Sequence, residues 1–193
     1  MAKKYYAVMD ETNKLIFENW EDVQKILPSL VKPKHKSFST KEEAENYLSG
    51  TIELKHEGIC AYIDGSYDAE TGCYSFGGVL LINENEYHFK KKYLNDEYSS
   101  MRNVSGELKG AGYIINYCVK NNIKELHLYF DYIGIEKWYT GEWEAKSPIA
   151  LEYTKFVNIV KDKINVVFHK VKSHTNNYYN ELADKLAKEA LGK

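Results

Sequence analysis

The chain has 193 residues, of which 44% are hydrophobic and 28% charged, ordinary values for a globular protein. Its 26 Lys and Arg against 28 Asp and Glu exclude a strong global positive field, so any nucleic-acid partner must be held by local patches. Three scattered cysteines (Cys60, Cys73, Cys118) exclude a disulfide framework or a cysteine-based zinc site and read as small core residues in a reducing compartment.

The N-terminus, Met1 to Tyr5, lacks the apolar core of a signal peptide, and no apolar run reaches the roughly 18 residues of a membrane span. A cytoplasmic monomer without membrane contact is expected. Tyr5-Tyr6-Ala7-Val8 reads as a strand, Asp10 to Asn13 as a turn, and Leu15-Ile16-Phe17 as the returning strand. Asn19 is placed to cap a helix opening at Trp20, with Val23, Ile26 and Leu27 at helical spacing. Pro28 and Pro33 break the chain, Lys36-Ser37-Phe38 reads as a third strand, and Thr40 to Glu43 is a capping-box pattern opening a helix to about Leu48. A unit this short has a marginal core. The expected division is a module over 1–48, a linker over 49–58 and a larger domain over 59–193.

From Ile59 the pattern becomes three successive strands: Ile59 to Ile63, Tyr74 to Ile82 and Tyr87 to Tyr93. A helix follows from about Val104 to Val119, its apolar stripe set by Val104, Leu108, Ala111, Ile115 and Cys118. Leu126 to Phe130 reads as a buried strand, Ile133 to Tyr139 and Pro148 to Val160 as helices, Val166 to Val171 as a strand, and Tyr178 to Leu191 as a closing helix. The expected class is α/β: a mixed sheet with helices on its faces.

Four acids stand where acids are otherwise hard to explain. Asp64 and Asp131 each end an apolar strand, Glu107 lies in the first turn of a helix, and Asp184 sits among alanines and leucines in the closing helix. Ligand sites gather at strand ends near helices, and converging carboxylates repel unless cations sit between them. Hard oxygen ligands suit Mg2+ or Mn2+. Two such ions roughly 4 Å apart suit hydrolysis of a phosphodiester. His174, in the loop entering the closing helix, could shuttle a proton. Each residue alone also has a plain reading. Asp64-Gly65 is a common turn pair, Glu107 favours a helix start, Asp131 could cap the next helix, Asp184 could be surface, and His174 could be solvated.

As an ordered set these residues carry a resemblance. Tyr62-Ile63-Asp64-Gly65-Ser66, Arg102 to Glu107, Leu128-Tyr129-Phe130-Asp131, Lys172-Ser173-His174 and Asn180 to Ala187 resemble the successive motifs of type 1 ribonucleases H, over residues 59–191. The resemblance implies that family's five-stranded sheet flanked by helices. It implies two Mg2+ ions (or Mn2+) held by Asp64, Glu107, Asp131 and Asp184, with His174 catalytic. It also implies that Gly65, Ser66, Asn103 and Asn180 meet the substrate. The reaction implied is endonucleolytic hydrolysis of the RNA strand of an RNA–DNA hybrid, leaving 5′-phosphate and 3′-hydroxyl ends, with the 2′-OH read through a wide minor groove. Asp68 stands where many relatives have asparagine, so a weaker phosphate or base contact is expected there. The short Tyr132 to Lys146 segment, with Trp138 and Trp143, resembles the form of the family without a basic protrusion.

The segments Tyr5 to Val8, Ile16 to Trp20 and Lys36 to Ala44 resemble the small three-stranded hybrid-binding (viroplasmin-like) domain that precedes many such enzymes. By that resemblance Trp20 and His35 stack on sugars while Lys34 and Lys36 hold phosphates; Trp20 could equally be a core anchor. Residues 1–48 hold eight lysines and eight acids, a net of zero, and the Asp10 to Lys14 turn is acidic. Weak, salt-sensitive hybrid binding by this module is therefore expected. Two other functions remain open from the sequence: a binding module with a degenerate nuclease domain, and a nuclease of the same sheet acting on another substrate, as integrases and resolvases do.

Overall fold

The computed structural model describes residues 4–49, 58–83, 85–171 and 177–193. Contacts divide the chain into two units, residues 1–55 and residues 56–193. Most of the expected 49–58 linker lies outside the described residues.

The first unit is a three-stranded antiparallel sheet in the order β2-β1-β3, formed by β1 (Tyr5–Met9), β2 (Lys14–Phe17) and β3 (Lys34–Phe38). Two helices complete it, α1 (Trp20–Ile26) and α2 (Lys41–Ser49). Asn19 caps α1 as its sequence position predicts, its side chain accepting from the Asp22 N–H at 2.9 Å. The acidic turn has a structural use. Asp10 accepts from the Thr12 and Asn13 backbone N–H groups at 2.9 and 2.7 Å and from Val31 N–H at 3.2 Å. These donors, Thr12 first, hold its carboxyl down to about 2. Ala7, Ala44 and Leu48 form a small core with Ile16, Phe38 and Tyr47 packed around it.

The second unit opens with three antiparallel strands, β4 (Cys60–Tyr67), β5 (Tyr74–Ile82) and β6 (Asn85–Tyr93). Then come α3 (Asn103–Lys120), β7 (Glu125–Phe130), α4 (Gly134–Thr140), α5 (Pro148–Val160), β8 (Asn165–Lys170) and α6 (Tyr178–Leu191). The sheet order is β6-β5-β4-β7-β8, with β4–β7 and β7–β8 parallel. Apolar Leu126, Leu128 and Phe130 on β7 are buried in one core with Ile63, Leu108, Ile114, Ile115 and Tyr153. All three cysteines are buried and free, and among the described residues no helix is long and apolar enough to cross a membrane. The mixed α/β class and both sheets agree with the sequence expectation.

Two glycines decide how closely the helices sit. Asp64 faces Gly77 across the β4–β5 ladder, so the two share a face of the sheet and Gly65 lies on the other. A Cβ on Gly77 would stand 2.1 Å from the Ala183 carbonyl of α6. A Cβ on Gly65 would stand 2.1 Å from the Asn103 carbonyl of α3. Both distances are impossible for a real side chain. The two bare positions let α3 and α6 press on opposite faces of β4 beside Asp64.

Three local expectations change. β4 continues to Tyr67, paired with Tyr74, so Asp64-Gly65 is neither a strand end nor a turn. The reversal falls at Asp68 to Gly72, where Asp68 accepts from Thr71 Oγ1 at 2.6 Å and Glu70 N–H at 3.2 Å. Asp131 does not cap α4, whose first residue is Gly134 and whose cap position, Ile133, makes no side-chain bond. Glu107 is the fifth residue of α3, beyond the first turn, because the helix starts at Asn103 after Arg102 at φ 53°.

Candidate metal centre

The parallel β7 sets Asp131 just past its end, beside the Asp64 segment of β4. α3 brings Glu107 down onto Gly65, whose missing Cβ would lie 2.8 Å from Glu107 Cγ. One carboxylate oxygen each from Asp64, Glu107 and Asp131 then lies within 4.8 Å of the other two. Asp184, on α6, lines the same cleft of about 370 Å³, together with Asp64, Asp131, Gly65, Ser66, Asn103 and Asn180.

The electrostatics of the cluster are those of an anionic site that wants a cation. Glu107 is 2% exposed; Asn103 Nδ2 donates to its Oε1 at 3.1 Å, and its Oε2 is buried with no hydrogen-bond partner among the described residues. Burial first, then the nearby charges of Asp131 and Asp64, push its carboxyl well above the usual carboxylate range. Burial and then the Asp131 charge push Asp64 up to about 7, although the Gly65 N–H donates to its Oδ1 at 2.7 Å. A buried acid with a bare oxygen among other acids costs free energy that a divalent ion would offset. The donor set is all oxygen and contains no thiolate, which fits a hard cation such as Mg2+ or Mn2+.

The remaining predicted residues divide clearly. Gly65, Ser66, Asn103 and Asn180 all line the cleft, and Asn180 is buried with its Oδ1 unpartnered among the described residues. His174, with Lys172 and Ser173, lies outside the described residues. In the first unit Trp20 is 38% exposed, in ring contact with Tyr6 at 5.4 Å and with His35 at 5.2 Å. His35 lies opposite Val8 on β1, whereas Lys34 and Lys36 lie opposite Met9 and Ala7. Strand alternation therefore turns the two lysines to the α2 face, away from the Trp20–His35 pair. There Lys36 Nζ sits 5.2 Å from the centre of the Phe38 ring. One cleft residue goes beyond the sequence reading. Lys188 lines the cleft and donates to Asp184 Oδ2 at 2.7 Å. In the sequence it stands four residues after Asp184, a spacing that puts both on one helical face.

This geometry sets a cluster of carboxylates that could hold a metal ion on a five-stranded mixed sheet flanked by helices. Residues 56–192 match the family model described as RNase H, and residues 4–48 match that of the ribonuclease H1 N-terminal domain. A ribonuclease H from Prosthecochloris aestuarii is 38% identical over 148 residues, 69% of this chain and 94% of that protein. One from Pseudoalteromonas translucida is 28% identical over 141 residues, 68% of this chain and 88% of that protein. Among solved structures, RNase H1 from Halobacterium salinarum superposes with TM-score 0.57 at 21% identity, covering 69% of this chain and 97% of that one. LC11-RNase H1, solved with an RNA/DNA hybrid, gives TM-score 0.53 at 18% identity over 69% of this chain and 99% of that one. The chain belongs to the ribonuclease H family, as an enzyme domain preceded by a ribonuclease H1 N-terminal domain.

Proposed function

We propose that the chain hydrolyses the RNA strand of RNA–DNA hybrids endonucleolytically, leaving 5′-phosphate and 3′-hydroxyl ends. Asp64, Glu107, Asp131 and Asp184 would hold two divalent ions, Mg2+ first and Mn2+ as an alternative. The observation that carries this reading is the closure of three carboxylates to within 4.8 Å, with one Glu107 oxygen buried and unpartnered among the described residues. Bound there, the ions would activate a water and stabilise the leaving oxygen of an in-line displacement.

The chain's own residues supply the rest. Glu107 is oriented by Asn103, whose side chain also faces the cleft. Gly65 and Ser66 present backbone and hydroxyl groups to the minor groove, and Asn180 offers a polar side chain toward a phosphate. His174 would move a proton at the leaving group. In the first unit Trp20 and His35 form the stacking pair, and Lys34 and Lys36, on the other face of the sheet, contribute little to the same contact. That split and the neutral charge of residues 1–48 support weak, salt-sensitive hybrid binding by the module. The working division is therefore 1–48, 49–58 and 59–193, in a monomeric cytoplasmic protein.

Labelled RNA–DNA hybrid, double-stranded RNA and double-stranded DNA, each offered with Mg2+, Mn2+ or EDTA, test the reading. Cation-dependent cutting of the hybrid's RNA strand alone is expected. Absence of cleavage with either ion would rule the enzyme reading out.

A further inference from the structure

Three of the four acids close on one another, and the fourth is engaged elsewhere. Asp64, Glu107 and Asp131 bring one oxygen each within 4.8 Å. Asp184 lines the same cleft but is held at 2.7 Å by the Lys188 ammonium, one helical turn further along α6. Lys188 is the one cation among the described residues that line the cleft, facing Asp64, Asp131, Glu181 and Asp184 there. Its charge also reaches Asp64, where it opposes the upward push of burial.

An ammonium at 2.7 Å from Asp184 Oδ2 competes with a divalent ion for that oxygen. Two cations on one carboxylate repel each other, so each weakens the binding of the other. The Lys188 side chain is half exposed, so it has an open path into solvent. Exposed pairs of this kind are weak, so displacement is affordable but not free.

We propose that Lys188 is a positioning residue that makes the two divalent-ion positions unequal, a strong one at Asp64, Glu107 and Asp131 and a weak one at Asp184. Filling the weak position works against the Lys188 ammonium, which has room to swing away from Asp184 into solvent. In the metal-free enzyme the lysine partly neutralises the acidic cleft in place of that ion. This inference rests on the metal-centre reading.

The test is direct Mn2+ binding to the full chain, followed by titration calorimetry and by the paramagnetic resonance of free Mn2+, for wild type, Lys188→Met and Lys188→Arg. Wild type should show one stronger and one weaker class of site. Lys188→Met should tighten the weaker class by about three- to tenfold and leave the stronger within about twofold, while Lys188→Arg should resemble wild type. The Mg2+ concentration giving half-maximal hybrid cleavage should fall in Lys188→Met. A weaker class unchanged or loosened in Lys188→Met overturns the role of Lys188 while leaving the metal centre standing. Wild type that binds no Mn2+ overturns both.

Discussion

Glu107 carries a conflict that a cation relieves: an acid nearly out of water, one oxygen without a hydrogen-bond partner among the described residues, two other carboxylates beside it. Glu107→Gln should therefore separate stability from function. Without metal the variant loses a repelled, desolvated charge and should melt higher by about 2–4 °C, the shift expected for roughly 1 kcal/mol in a chain of this size. The melting shift that Mg2+ or Mn2+ gives wild type should vanish, and a metal-induced shift equal to wild type would show that Glu107 is not a ligand. Gly77 works the same site through backbone. Gly77→Ala puts a Cβ 2.1 Å from the Ala183 carbonyl, so α6 must move and carry Asp184 with it. Urea unfolding should show a loss of about 1–3 kcal/mol, together with reduced cleavage; unchanged stability would mean that α6 does not sit on β4 and β5 as described.

Among the elements, those with one strong local signal were legible. α3 showed its stripe of Val104, Leu108, Ala111, Ile115 and Cys118, and β7 its short apolar run, and both form as read. Asn19 marked the start of α1 by the same logic of capping. What the pattern hid was where β4 stops. Asp64, Gly65 and Ser66 look like a turn in one dimension, because small and polar residues favour turns. In three dimensions they pair with Gly77, Phe76 and Ser75, and the glycines answer to helices far away in sequence. The lysines of β3 teach a related lesson. Lys34, His35 and Lys36 read as one basic-aromatic cluster, yet a strand sends neighbours to opposite faces. The four acids were found by their order and company, since each alone had a plain explanation, and Lys188 was passed over because an i,i+4 acid–lysine pair is common on helix surfaces.

At the scale of the molecule, the second unit has an aromatic row on the face of its sheet that β7 and β8 turn away from the main core. Tyr62, Tyr129 and His169 stack at 4.4 and 4.5 Å, and His127 Nδ1 lies 2.9 Å from His169 Nε2. Burial, then the neighbouring His127, holds His169 below its usual value near 6.5. The unfolded chain therefore takes up this proton first. The associated stability is present above the unfolded value and is lost as pH falls through the lower folded one. In thermal unfolding between pH 7 and pH 5, the metal-free wild type should lose stability relative to His169→Phe, which keeps a ring on Tyr129; the raised Asp64 and Glu107 carboxyls pull the other way in both proteins and cancel in that difference. An equal slope in the two proteins would assign the pH dependence to other groups. The near-neutral charge of the chain, visible in composition alone, bears on affinity for substrate and leaves the chemistry at the acids untouched. That chemistry is tested most directly by the rate at which wild type and Asp64→Asn cut the RNA strand of a hybrid at saturating Mg2+. A folded Asp64→Asn should be slower by at least about a thousandfold, and a folded variant cutting near the wild-type rate would contradict the metal centre.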